Sequence, residues 1–353
     1  MLPRSADSLV GMSKGRVSVG RVANVAVIAV IAVIASWSMG GEALAWDDFG
    51  HMQVAAIAYK NLKPASRLRA IELLKRNPRY AIWIYGASVV DRNRVAFMRA
   101  ATWADSIKSD PQYTSTKDDQ TLPTAAQNIG YADKFRHAYW HYIDQPFSPD
   151  GTPLLPAASP NVATQIDVFR AALSSADADD DLKSYDLTWL LHLVGDVHQP
   201  LHCVSRYDSA DPKGDRGGNN VKITGNAMTP ICDDPRYCPF GPANELHAFY
   251  DDITGESYAT AKVETTLGSF PKANPAKAAI LDVTVWSGEG LALAQSAVYK
   301  APLGLGDGPF TIDAAYQNAA LALGKQQIAL AGTRLAHMIE DCFAREAEAP
   351  KHR

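Results

Sequence analysis

Apolar positions recur at helical spacing over most of the chain. His51 to Leu62 carries them at helical intervals and stops before Pro64, which predicts a helix. Ser66 can cap a second helix over Arg67 to Arg76, closed by Pro78, and Val89 to Ile107 reads as a third. Two more are expected over Pro160 to Ser175 and Leu182 to Val197, the latter halted by Pro200, which has no N–H to continue it. Ile312 to Ala344 is a long amphipathic stretch rich in Ala, Leu and Gln. Strand alternation is scarce, and its best instance is a short ribbon around Asn220 to Thr224. Asp110 to Asn128 and Asp208 to Pro242 are rich in Pro, Gly, Asp and Asn and read as surface loops. No internal repeat appears. The expected fold class is all-α: a single mainly helical domain with a short β-ribbon.

One apolar run has a different character. Val25 to Ala35 holds no polar residue, follows Arg4, Lys14, Arg16 and Arg21, and precedes Ala43-Leu44-Ala45. A basic lead, a short apolar core and an A-x-A ending describe a signal peptide over residues 1–45, cleaved after Ala45. The run is shorter than the ~20 residues of a spanning helix. An uncleaved membrane anchor is the competing reading. Residues 46–353 would then form the exported domain, secreted or periplasmic, with no stable membrane association after cleavage.

Charge narrows the picture. The full chain carries −4, and the leader holds four basic residues against Asp7 and Glu42, so the remainder is more acidic still. A protein that held a polyanion by net charge alone would be basic. Any nucleic-acid binding must therefore come from local charges, and bound cations are one source. The four cysteines, Cys203, Cys232, Cys238 and Cys342, suit an export compartment in which disulfides persist. Cys232–Cys238 would close a short loop and leave Cys203 and Cys342 as a second pair. No C-x-x-C spacing favours thiolate metal ligation instead.

The histidines carry the chemistry. His192 and Asp196 stand at i and i+4, so one helical face presents an imidazole and a carboxylate together. Pro200 ends that helix and lets His202 turn toward a second site. His247 and Asp251 repeat the spacing, His141 and Asp144 sit in Trp140-His-Tyr-Ile-Asp144, Asp105 follows Trp103, and His51 lies just past Trp46. A helix-surface hydrogen bond explains any single pair. Five such groups among apolar neighbours point instead to metal, because unpaired charge is costly in a core. Imidazole and carboxylate without thiolate suit catalytic zinc. His137, His198, His337 and His352 are assigned no metal.

The order Trp46…His51, Trp-Ala-Asp105, Trp-His141-x-Ile-Asp144, His192-x3-Asp196-x-His-Gln-Pro-x-His202, Asp215-x-Gly-Gly-Asn219 and Asn-x-Leu-His247-x3-Asp251 resembles the S1/P1 nuclease family. The resemblance continues less specifically through Ala329 to Ala336. It implies a zinc phospholipase C / P1 nuclease-like fold and three zinc ions. One ion would take Asp105, His141, His192 and Asp196. A second would take His51, Asp196 and the freed amino nitrogen and carbonyl oxygen of Trp46. The third would take His202, His247 and Asp251.

The resemblance further implies hydrolysis of single-stranded DNA or RNA at the P–O3′ bond, with 5′-phosphate products, and action on 3′-nucleotides. Lys108 matches the family's basic residue near the phosphate, and Asp144 would orient a ligand or a basic neighbour. Tyr142 would stack a base, and Asn219 and Asn220 would hydrogen-bond it. No protein partner is implied. The spacing between His202 and His247 is wider than the family pattern and contains Cys232 and Cys238, so no disulfide is carried over and substrate preference transfers least. Two alternatives stay open: a zinc-dependent phospholipase C, for which Glu rather than Asp251 would be expected, and a non-catalytic zinc-binding export protein.

Overall fold

The computed structural model describes residues 46–114, 134–225 and 243–349. All of them belong to one unit, Glu42–Arg353. Helix α1 (Asp48–Asn61) is capped by Asp47, whose carboxylate accepts the N–H of Gly50 at 2.9 Å. Phe49 to Ala56 are all buried, so α1 is a core helix rather than an amphipathic surface one. Helix α2 (Pro64–Leu74) starts at Pro64, and Ser66 lies inside it rather than capping it. Proline fits the first turn because its missing N–H would have no helical partner there. A short α3 (Tyr80–Trp83) follows.

The single helix expected over Val89 to Ile107 is two, α4 (Arg92–Ala100) and α5 (Trp103–Ser106), broken at Ala101–Thr102. Strand β1 (Gln145–Phe147) comes next, then α6 (Val162–Ser174), entered through a capping box of Asn161 and Thr164. Helix α7 (Asp180–Asp196) is capped by Asp179 and has Asp180 and Asp181 in its first turn, where the helix dipole favours negative charge. From Lys183 to Asp196 every residue is buried, which makes α7 the central rod of the molecule.

Strands β2 (Val204–Arg206) and β3 (Ile223–Thr224) precede α8 (Leu246–Asp251), α9 (Thr260–Leu267) and α10 (Pro275–Ala278). Helix α11 (Val283–Leu293) widens into a π turn over Ala294–Val298. After β4 (Phe310–Thr311), α12 (Ala314–Glu348) runs unbroken for 35 residues. It packs along α1 so closely that a Cβ on Gly332 would lie 2.7 Å from the Val54 carbonyl.

The expected ribbon is reduced to β3, which pairs in parallel with β4 rather than with a sequence neighbour. Parallel pairing needs a long crossover, so local alternation carries no trace of it. The other ladder is also parallel, with Gln145 opposite Val204 and Phe147 opposite Arg206. Among the described residues no helix is long and apolar enough to cross a membrane.

The second cysteine pair is corrected. Cys203 and Cys342 are both free and buried. The Cys203 thiol is 3.2 Å from the Val197 carbonyl, and that of Cys342 is 3.6 Å from the Arg170 carbonyl. Each is a small apolar residue with a weak local bond. Cys232 and Cys238 lie outside the described residues.

Asp186 is buried on α7, and neither carboxylate oxygen has a hydrogen-bond partner. Burial raises its pKa to about 8. The folded form then keeps a proton that the unfolded form releases near pH 4, so this residue makes stability fall as pH rises from about 4 to about 8. Asp186→Asn removes that titration. The variant should gain on the wild type by up to about 4 kcal/mol between pH 5 and 8.5, read from urea midpoints. A difference independent of pH would refute this.

Candidate metal centre

Helices α1, α5, α7 and α8 and two 3-10 turns bring the predicted side chains together. On α7, His192 and Asp196 face α1 across Gly195, where an added Cβ would sit 2.8 Å from His51 Nδ1. Only glycine lets the two helices approach this closely. The His51 and His192 rings stack at 3.7 Å. Trp46 is buried beside them and donates its indole N–H to the Gly195 carbonyl at 3.0 Å. The N–H of Asp47 reaches the Asp251 backbone carbonyl at 3.3 Å, so the entry to α1 is anchored at both Gly195 and Asp251.

The break between α4 and α5 has a local task. At the break, the Ala101 carbonyl lies 2.7 Å from His192 Nδ1, and the short α5 presents Asp105 to the same space. His141 ends a 3-10 turn over Ala138–His141, and His202 lies in another over Pro200–Cys203. The Ile143 N–H donates to the His202 carbonyl at 2.8 Å, and His202 Nδ1 donates to the His141 carbonyl at 2.8 Å. The β1–β2 ladder continues this strap, fixing the two histidines relative to each other. His247, on α8, donates from Nδ1 to the Gly217 carbonyl at 2.7 Å. Gly217 has φ +62, and a Cβ there would lie 2.3 Å from the Leu201 carbonyl, so this turn requires glycine.

Three groups result: His51 with His192 and Asp196; Asp105 with His141 and His192; His202 with His247 and Asp251. Asp196 Oδ1 is 3.3 Å from His51 Nε2, while its Oδ2 is 3.0 Å from His141 Nδ1. Lys108, buried at the edge, places Nζ 2.7 Å from Asp105 Oδ1. Beneath them Trp103, Trp140 and Trp189 form an edge-to-face aromatic floor, with Trp189 5.6 Å from the His141 ring.

Hydrogen-bond geometry tests whether these groups suit a cation. A carbonyl only accepts, so His202 and His247 each carry their proton on Nδ1. The two Nε2 atoms then present lone pairs to each other at 3.0 Å. Between two neutral rings that contact is repulsive, and a positive charge held between them, a metal ion or a proton, relieves it. Zinc–nitrogen bonds of about 2.0–2.1 Å at a tetrahedral angle would set two such atoms roughly 3.3 Å apart. His192 shows the same polarity, with Nε2 3.0 Å from His141 Nδ1. Neither ring nitrogen of His51 has a hydrogen-bond partner. The donor set fits a metal.

Electrostatics agree. Burial holds His51 and His141 well below the usual histidine range, with neighbouring cationic groups adding to the effect. Burial brings His192 to about 4. These rings are neutral and available as ligands at ordinary pH. Burial, helped by Asp105, pushes Asp196 well above the usual carboxylate range, and burial does the same to Asp251. A divalent cation in contact would reverse that order and keep both ionised.

The remaining predicted residues lie outside the three groups. Asp144 is half-buried with its pKa raised to about 6, by burial first and then by Asp215, while Arg216 opposes the rise. Tyr142 is partly buried against the core. Asn219 donates to the Arg216 carbonyl at 2.6 Å, and the Asn220 amide is held by Asp211 at 2.5 Å. His198 sits on a buried network: Nδ1 donates to Val194, and Nε2 is 3.0 Å from Arg334, which also binds Glu289 at 2.7 Å. His137 stacks flat on Trp140.

Two participants escaped sequence reading. Gln199, fully buried, donates to Asp251 Oδ1 at 2.8 Å and accepts the Leu201 N–H at 2.6 Å, which leaves Oδ2 facing His247. Arg334, wholly buried, ties α12 to the turn after α7. A glutamine between two histidines and a lone arginine in an Ala/Leu helix were the available signals.

A mainly helical, zinc phospholipase C-like fold that converges buried His/Asp groups able to hold metal ions defines the class. The chain belongs to the S1/P1 nuclease family, whose model matches residues 46–344. The match supports a nuclease-type phosphodiesterase acting on nucleic acid. No curated protein matches the chain.

Gln199→Leu should free Asp251 from its hydrogen bond while keeping side-chain bulk. Metal affinity at the His202–His247–Asp251 group should drop about 10- to 100-fold, as for other residues that orient ligands. Competition with a chelator, followed by metal analysis, reads this directly. Unchanged retention of every bound ion would refute it.

Proposed function

We propose that the chain is an exported trinuclear-zinc phosphodiesterase that cleaves single-stranded DNA and RNA at the P–O3′ bond, leaves 5′-phosphates, and acts on 3′-nucleotides. The observation that carries the reading is the 3.0 Å approach of two Nε2 lone pairs in a buried site of a nuclease-family chain. Asp105, His141, His192 and Asp196 would hold one ion. Trp46, through its amino nitrogen and carbonyl oxygen, would hold a second with His51 and Asp196. The two Asp196 oxygens facing different rings support its bridging role. His202, His247 and Asp251 would hold the third.

Bound zinc would supply Lewis acidity, making water nucleophilic near neutral pH and offsetting charge on a phosphate. The protein's own groups do the rest. Lys108, held by Asp105 at 2.7 Å, is placed to steady a phosphate oxygen by its ammonium. Asp144, which feels the Arg216 charge, would orient a ligand or that basic neighbour. Tyr142 offers a ring for base stacking, which favours unpaired strands with little sequence reading. Asn219 keeps its amide oxygen to accept from a base, whereas Asn220 contributes by holding the turn through Asp211.

Export follows from the leader over residues 1–45, with the product secreted or periplasmic. Asp251 and the Gly-Gly-Asn turn favour nucleotides over phospholipid. Dispersed single histidines among carboxylates, rather than a His-rich tract, favour catalysis over zinc storage.

A chain beginning at Trp46 should contain three zinc ions and hydrolyse single-stranded DNA, RNA and 3′-AMP, leaving phosphatidylcholine intact. Turnover of phosphatidylcholine alone would sink the nuclease reading, and a zinc-loaded chain inert on all four would favour storage. A second outcome concerns the first residue. One extra residue before Trp46 converts its amine to an amide, which is a poor ligand, so zinc content should fall by about one ion. Equal zinc content and activity would remove Trp46 from the site.

A further inference from the structure

A cavity of about 450 Å³ opens where α5 meets the start of α7 and the turn after α2. Trp103 lines it, while Asp105, two residues along the same short helix, belongs to the metal groups. The cavity and those groups are therefore separated by about the 10–12 Å width of one helix. Its wall combines three cations, Arg76, Arg79 and Lys134, with the rings of Trp103, Tyr113 and Tyr185. Trp103 meets the two tyrosines edge-on at 6.2 and 5.7 Å, which fixes their faces. The Lys134 ammonium lies 4.9 Å over the Tyr113 ring.

The cations differ in their partners. Arg76 is paired with Asp181 at 2.6 Å, and Arg79 with Asp110. Each guanidinium is thus held in place with further N–H groups available. Lys134 acts on the same Asp110 carboxylate electrostatically while lying over the Tyr113 ring. Ser184 lines the same cavity, is buried, and its hydroxyl has no hydrogen-bond partner. Trp103 and Tyr185 are buried and Asp181 also lines the cavity, so what it offers a ligand is the partly exposed Tyr113 ring among three cations. Phosphate against cations and bases against rings is the way single strands are held without sequence preference.

We propose that this cavity is an accessory subsite for single-stranded nucleic acid, holding a nucleotide of the strand away from the bond that is cut. The proposal rests on the nuclease reading above and adds where the rest of the strand lies. Its signature is length dependence. A mononucleotide cannot occupy both the metal centre and a cavity one helix-width away; an oligonucleotide can.

The test uses the full zinc-loaded protein, a fluorescein-labelled oligo-dT of about a dozen nucleotides, and 3′-AMP. Tyr113→Ala combined with Lys134→Gln should weaken oligonucleotide binding about 5- to 100-fold by anisotropy. The slope of log K against log salt should become shallower by about 0.7 for the lost phosphate contact. Turnover of 3′-AMP should be unchanged. Lys134→Gln alone, at an exposed position, should reproduce the change in salt slope and keeps the test open if the double variant does not fold. An unchanged oligonucleotide Kd overturns the proposal, and so does an equal loss on 3′-AMP. A wild type that hydrolyses neither substrate defeats the nuclease reading, while anisotropy still decides the subsite: a wild type that does not bind oligo-dT overturns it.

Discussion

A carboxylate buried among apolar side chains stays ionised only if a cation lies against it, and neutral imidazoles turned lone pair to lone pair repel unless something positive intervenes. The centre of this molecule obeys that constraint throughout. Asp196 and Asp251 are buried beside histidines whose protons are directed outward to carbonyls. The outward bonds are as informative as the inward ones. Each fixes a tautomer and leaves the other nitrogen facing the shared space.

Much of the architecture serves that arrangement. Helix α7 is buried along most of its length because it must carry His192 and Asp196 to the middle of the molecule while α1, α6 and α12 cover it. Its tight approach to α1 depends on Gly195, and the turn just beyond that same end is tied to α12 through His198 and Arg334. The break at Ala101–Thr102 sacrifices helical continuity, and the Ala101 carbonyl it exposes accepts the His192 proton. Local irregularity and site geometry are the same fact here.

This also decides what the sequence made legible. The helices over α1, α6, α7 and α12 were readable from periodicity and caps, and His192/Asp196 and His247/Asp251 from i, i+4 spacing. The convergence of the nine metal-type residues came from a family resemblance, not from spacing, because contacts between Trp46 and Gly195 or between His141 and His202 span distances along the chain that no local pattern records. The α4–α5 break was missed for the same reason: nothing in Ala101-Thr102 opposes a helix, and only the distant His192 explains the carbonyl's orientation. The parallel pairing of β3 with β4 and the unpaired thiols of Cys203 and Cys342 were likewise set by tertiary packing. Gln199 and Arg334 were present in noted motifs, but their tasks became visible only with their partners.

Backbone bridges flank the two long polar segments. The chain leaves the described structure after Thr114 and re-enters at Lys134, next to a bridge between Thr114 and Phe135. It leaves again after Gly225 and re-enters at Ala243, beside the bridge between Lys222 and Glu245. The flanks of each segment are thus joined by backbone pairing, the first bridge between Asp105 and His141 in sequence and the second between His202 and His247. The second bridge sits two residues before His247, so the register of that backbone pairing and the placing of a metal-type histidine are one constraint, and a substitution that slips the bridge reaches the site directly.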